Sequence, residues 1–284
     1  MTAPGVLVTA DQLVGLVDAA RAGRRDLVLL DVRWTLGGPP EHGDYLLGHL
    51  PGAVFVPLDT DLAAHGRPTD GRHPLPGLDQ VQAAARRWGV RAGSTVVAYD
   101  ATGNLASARA WWLLRWAGFT DVRLLDGGLA AWVAAGQPLD DDDVVPAAGD
   151  VVLPGGGMVT VDAEEVSGFG AGGVLLDARA GERYRGEVEP VDPRAGHVPG
   201  AVSAPTVDNL APDGTFRPPA ELRARFEALG VRAGVATAVY CGSGVTAAHE
   251  IAALAIAGHD DVALYPGSWS QWSNLDRPVA TGER

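Results

Sequence analysis

The chain contains no lysine: all 22 of its basic residues are arginine, set against 35 acidic residues for a net charge of −13. Without a lysine amine there is no Schiff-base chemistry and no P-loop lysine to cradle a phosphate, so pyridoxal phosphate enzymes and P-loop ATP hydrolysis are excluded. The acidic balance argues against nucleic acid, whose binding needs basic surface that displaces counterions. No stretch reaches the roughly 18 uninterrupted apolar residues of a membrane span, so no membrane partner is expected. Cysteine occurs once in 284 residues, which rules out an internal disulfide or a cysteine metal cluster; no metal and no cofactor are expected. The opening MTAPGVLVTADQL lacks the basic-then-apolar layout of an export signal. Together with the lone thiol this points to a reducing cytoplasm.

What is present is written nearly twice. VLVTADQL (6–13) is echoed by GMVTVDAE (157–164), LVLLDVR (27–33) by GVLLDAR (173–179), and GHLPGAVFVP (48–57) by GHVPGAVSAP (196–205). TVVAYDATGNLASARAWWLLRWAGF (95–119) parallels TAVYCGSGVTAAHEIAALAIAGH (237–259), setting Asp100 opposite Cys241, and RLLDGGLAAW (123–132) parallels ALYPGSWSQW (263–272). Matches that keep order at slowly drifting spacing indicate a duplicated domain, not a short-period solenoid. The expected division is residues 1–138, a Pro/Gly/Asp-rich linker over 139–157, and residues 158–284. Within each half, short Val/Leu-rich runs alternate with helical patterns such as the Thr9-x-x-Gln12 capping box, which predicts α/β architecture with a parallel sheet. Ligands of such sheets gather at the carboxyl ends of strands, where Asp100 and Cys241 fall.

Cys241 lies in VYCGSGVTA between a strand and a helix. Buried free cysteines are often small core hydrophobes. Here, however, Gly242 and Gly244 allow several N–H groups to point into one hollow, and the following helix adds its positive end. A thiol held there is expected to be unusually acidic and nucleophilic. A phosphatase would need C-x5-R, yet position 247 is Ala. Of the seven histidines, His49 and His197 occupy matching GHxPGA turns in both halves, so an architectural role is expected for them, and His249 falls on the helix after the cysteine.

The duplicated LLD-x-R, GH-x-PGA and strand–Asp/Cys layout resembles the rhodanese superfamily in its two-domain sulfurtransferase form, over nearly the whole chain. The resemblance implies two tandem rhodanese-like domains, each a central parallel sheet flanked by helices, with the amino-terminal cysteine replaced by Asp100. CGSGVT is similar to the loop of 3-mercaptopyruvate sulfurtransferases, whereas thiosulfate-using members usually place Arg or Lys within it. It implies a persulfide on Cys241, a small-molecule sulfur donor, and cyanide or a dithiol such as thioredoxin as acceptor. It further implies a proton relay of Ser243, His73 and Asp59, although Asp59 and His73 read equally well as ordinary loop polarity. Arg183 takes the place of the substrate-carboxylate arginine. A second arginine, about nine residues on in the family, lands here on Asp192, and the nearby Arg194 is expected to substitute. Gly242, Gly244, Val245 and Thr246, with Trp269, would line the substrate pocket. The competing readings are a thiosulfate:cyanide sulfurtransferase, a non-enzymatic persulfide carrier and a cysteine-dependent hydrolase.

Overall fold

The apolar runs LVLLD and TVVAY are buried on both faces, which suits a parallel sheet that must hide its whole backbone from water. In the computed structural model, which describes residues 5–38, 41–169 and 172–283, the chain forms two units. The first comprises Met1–Ala63, Pro76–Gly157 and Pro212–Phe216; the second comprises Ala64–Leu75, Met158–Ala211 and Arg217–Arg284. The division is therefore not a single cut: the stretch 64–75, read from sequence as part of the first half, belongs to the second unit.

In the first unit the elements run β1 (Leu7–Val8), α1 (Ala10–Arg21), β2 (Leu27–Asp31), α2 (His42–Leu46), β3 (Val54–Phe55), α3 (Leu58–Asp61) and α4 (Leu78–Arg87). They continue with β4 (Thr95–Tyr99), α5 (Ser107–Trp116), β5 (Val122–Leu125) and α6 (Gly128–Ala134). All strand pairs are parallel, in the order β1-β5-β4-β2-β3. The capping box read from sequence forms: Gln12 N–H donates to Thr9 Oγ1 at 3.3 Å and Thr9 N–H to Gln12 Oε1 at 3.0 Å. Such a cap is worth about 1 kcal/mol.

The second unit contains α7 (Ala163–Ser167), β6 (Val174–Asp177), α8 (Gly181–Arg185), β7 (Val202–Ser203), α9 (Pro219–Ala228), β8 (Thr237–Tyr240), α10 (Thr246–Ile256), β9 (Val262–Leu264) and α11 (Ser268–Trp272). Its sheet is again parallel, in the order β7-β6-β8-β9.

The written repeat is a structural one. Asp31 pairs with Tyr99 across β2 and β4, and Asp177 with Tyr240 across β6 and β8. Arg33 forks onto Asp31 as Arg179 forks onto Asp177. Trp132 and Trp272 are both buried, each indole N–H donating to a proline carbonyl, of Pro138 at 2.8 Å and of Pro278 at 2.9 Å. His49 and His197 hold the architectural place expected of them. Each is buried, stacks on a tyrosine (Tyr45 at 3.9 Å, Tyr184 at 3.8 Å) and bonds that tyrosine's carbonyl through Nδ1. Residues 139–157 carry no helix, and they run back over the first unit, with Val151 and Leu153 buried and Gly149 N–H on the Arg86 carbonyl at 2.7 Å.

At the end of β4, the buried Asp100 carboxylate takes four main-chain N–H groups: Thr102 and Asn104 on one oxygen at 2.8 Å, Ala106 at 2.8 Å and Ser107 at 2.9 Å on the other. The first unit thus fills its own loop with a fixed anion. Replacing it strands buried donors, so Asp100→Ala is expected to lower the unfolding free energy by about 2–4 kcal/mol and Asp100→Asn by roughly half as much, measured by urea denaturation.

Candidate active site

β8 ends at Tyr240, and the next five residues turn into α10, so Cys241 stands at the carboxyl end of a central strand. The residue is 1% exposed. Its Sγ accepts the Gly244 N–H at 3.1 Å, a bond that uses the left-handed backbone of Gly244 (φ +79°). Gly242 and Val245 are buried in the same turn, and Thr246 opens α10. The main chain is gripped from outside the loop. Cys241 N–H donates to Ser268 Oγ at 3.2 Å, Cys241 C=O accepts the Trp269 N–H at 2.9 Å, and Gly242 C=O accepts the Ser270 N–H at 2.8 Å.

Ser268 does this from an unfavourable conformation, φ +53°. Its counterpart in the repeat is Gly128, at φ +57°, beside the Leu129 N–H that donates to the Asp100 carbonyl at 2.9 Å. A side chain in this region costs about 1–2 kcal/mol relative to right-handed backbone. The serine hydroxyl uses the position to bind Cys241 N–H and to donate to the Tyr265 carbonyl at 2.9 Å. Ser268 was missed in the sequence, although the glycine opposite it in the repeat was the available signal.

The stretch 64–75 is the second half of the site. Gly71 (φ +92°) lets it run backbone to backbone against Gly267, where a Cβ would meet the Gly267 carbonyl at 2.9 Å. Arg72 N–H then donates to Ser270 Oγ at 3.0 Å, and Gln271 Nε2 to the Thr69 carbonyl at 3.0 Å. That anchorage brings buried His73 to buried Ser243, with Nδ1 and Oγ 2.7 Å apart. Asp59 lies in the first unit on α3, where its carboxylate accepts the Trp34 indole N–H at 3.0 Å.

Two guanidinium groups flank the loop. A Cβ built on Gly242 would sit 3.4 Å from both Arg72 Nη2 and Arg183 Nη1. Asp192 bridges the pair, 2.8 Å from Arg72 and 3.3 Å from Arg183, and Glu189 takes Arg183 at 2.6 Å. Arg72 Nε and Nη2 and Arg183 Nε remain buried with no acceptor. Behind them Arg179 lies between Asp177 and Glu189. Burial works against its charge, but Asp177, Tyr240 and Glu189 together outweigh it, so its pKa is raised. Burial and the Asp177 carboxylate push the neighbouring Tyr240 phenol well above its ordinary value.

Two expectations need correcting. Arg194 is not placed to take a substrate. Its guanidinium is spent on four main-chain carbonyls, those of Trp272, Ser273, Leu275 and Arg277, at 2.5–2.9 Å. The second arginine beside the loop is Arg72, which sequence reasoning did not single out although it adjoins His73. Trp269 does not line an open pocket either: it is fully buried, its indole N–H bonds the Arg194 carbonyl at 2.9 Å, and Arg179 lies 4.6 Å over its ring. Among the described residues no group of three or more His, Cys, Asp or Glu side chains could hold a metal ion, and no helix is long and apolar enough to cross a membrane.

Two α/β units of parallel strands, one bearing a cysteine loop and the other an aspartate in its place, define a duplicated fold with one candidate nucleophile. Residues 10–135 and 163–275 each match the rhodanese-like domain, and the chain belongs to the rhodanese family. It is 48% identical to a Mycobacterium tuberculosis protein provisionally named thiosulfate sulfurtransferase SseB, over 98% of this chain and 97% of that one. It is 47% identical to a Pseudomonas aeruginosa protein provisionally named 3-mercaptopyruvate sulfurtransferase, over 98% of each chain. The crystal structure of SseA from Escherichia coli, a 3-mercaptopyruvate sulfotransferase of rhodanese fold, superposes with a TM-score of 0.82 at 31% identity, covering 94% of this chain and 99% of that one.

The reassignment of Arg194 has a direct check. Arg194→Ala should lower stability by about 2–4 kcal/mol by stranding buried carbonyls, while leaving KM for an anionic sulfur donor within about twofold, measured by denaturation and steady-state kinetics.

Proposed function

We propose that the protein is a sulfurtransferase that takes sulfur from 3-mercaptopyruvate onto Cys241 and passes it to a thiophilic acceptor. The observation that carries this reading is the convergence on one loop of the sole thiol, the Ser243–His73 pair and the Arg72–Arg183 guanidinium groups. The two arginines supply unspent donors for a donor's anionic head, and Ser243 with His73 supplies a path for one proton.

The chemistry follows in two halves. The Cys241 thiolate attacks the donor sulfur; an S–S bond forms, the C–S bond breaks, and its electron pair leaves on carbon as pyruvate enolate. The donor's thiol proton, moved through Ser243 and His73, ends on that carbon to give pyruvate, and the enzyme is left with a persulfide. The Gly244 N–H, already directed at the sulfur, stabilises the anion by the logic of an oxyanion hole. Cyanide in vitro, or a dithiol such as thioredoxin in a cell, then attacks the outer sulfur and restores the thiolate.

Thiosulfate is the second donor to weigh, because paired arginines suit a sulfonate head and the Mycobacterium tuberculosis relative carries that name. The two donors differ in protons: sulfite leaves as a stable anion and needs none, whereas the enolate needs one. With mercaptopyruvate and cyanide, the protein should release pyruvate and thiocyanate, and Cys241→Ser should release neither. Ser243→Ala and His73→Gln should lower kcat for mercaptopyruvate by about 10²-fold and for any thiosulfate turnover by less than about threefold. A higher kcat/KM for thiosulfate than for mercaptopyruvate overturns the donor assignment. Sulfur loading that occurs only from a partner protein, seen as a mass gain of one sulfur, would make the chain a carrier.

A further inference from the structure

Asp192 occupies the middle of the anion-binding face yet is itself an anion, 3% exposed and bonded to both arginines that border the cysteine loop. Its position is fixed by its own segment. In Glu189-Pro190-Val191-Asp192-Pro193 the two prolines restrict the backbone, and the Glu189 carboxylate accepts the N–H groups of Val191 at 3.2 Å and Asp192 at 3.1 Å. The ion pairs then close on themselves: Arg72, Arg179 and Arg183 are matched by Asp177, Glu189 and Asp192, three charges of each sign. The face over Gly242 is therefore rich in N–H donors without carrying net positive charge.

We propose that Asp192 is a specificity-determining residue, the built-in counter-charge that makes the Arg72–Arg183 clamp accept a singly charged carboxylate head and refuse a doubly charged donor such as thiosulfate. The proposal rests on the sulfur-transfer reading above and deepens it. A monoanion entering the clamp can use Arg72 Nε and Nη2 and Arg183 Nε, which have no acceptor. A dianion brings a second charge to the same partly buried place, beside a carboxylate that the proline-flanked turn keeps from withdrawing. Selectivity here comes from a repulsive element as much as from the attractive pair. The two arginines alone would favour the more highly charged ligand, and Asp192 reverses that order.

The test uses the full-length protein and the near-isosteric Asp192→Asn, with Asp192→Ser as a second variant should the first fold poorly. With cyanide as acceptor, kcat/KM for thiosulfate should rise about tenfold or more while that for mercaptopyruvate changes less than about threefold, mostly through KM. A ratio of the two donors that stays within about twofold of wild type, or a parallel fall for both, overturns the proposal, since a merely structural role would move both together. A second measurement needs no turnover: protection of Cys241 from the neutral reagent iodoacetamide by pyruvate or by sulfate. In the wild type pyruvate should protect at lower concentration than sulfate, and Asp192→Asn should reverse the order; sulfate protecting better in the wild type overturns the counter-charge. If the wild type turns over neither donor, the functional reading falls, and the protection order still decides the role of Asp192.

Discussion

The thiol's position is set by a helix that does not contain it. The first turn of α11 binds the main chain of Cys241 on both sides, through Ser268 Oγ and the Trp269 N–H, and that of Gly242 through the Ser270 N–H. The same turn receives the Arg72 N–H on Ser270 Oγ and reaches Thr69 through Gln271, so it also sets where Arg72 and His73 stand. One five-residue helix is thus the common frame for Cys241 and for the stretch that carries Arg72 and His73. Such shared anchoring matters because chemistry between groups about 3 Å apart is degraded by misplacements of an ångström or less.

The duplicated unit shows which parts of this frame belong to the fold and which to the chemistry. The Asp–Arg fork, the buried His on its Tyr, the Trp-to-proline-carbonyl bond and the N–H donated to the carbonyl at the end of the central strand occur in both units. The aspartate-for-cysteine and glycine-for-serine differences, Asp100 against Cys241 and Gly128 against Ser268, fall on the site itself. The serine keeps the glycine's backbone geometry at a steric cost that Gly128 does not bear at the matching position.

Most of the scaffold was legible because it rests on local rules written twice. Alternation of buried runs with amphipathic helices, the Thr9 capping box, and the pairing of Asp100 with Cys241 all follow from period, cap chemistry and repeat order. The site was legible only in part. His73 beside Ser243 came from resemblance, since 170 residues separate them. Arg72 escaped notice because its value depends on the stretch 64–75 belonging with the second unit, which no local pattern encodes. Arg194 looked like a binding arginine because a charge count cannot foresee that residues 272–277 will turn four carbonyls toward it. Asp192 was visible as an oddity, and its meaning needed the two arginines on either side of it.

The amide cradle around Asp100 carries an implication for the unit that lacks a thiol. The Asp100 carboxylate oxygens stand two bonds from Cβ, one bond farther out than the Cys241 sulfur opposite them in the repeat. Four main-chain donors already close on that oxygen pair. The amino-terminal loop is therefore filled and tied down by its own side chain from the moment the chain folds. One half of the molecule thus keeps a permanent carboxylate at the strand end where the other half keeps its sulfur.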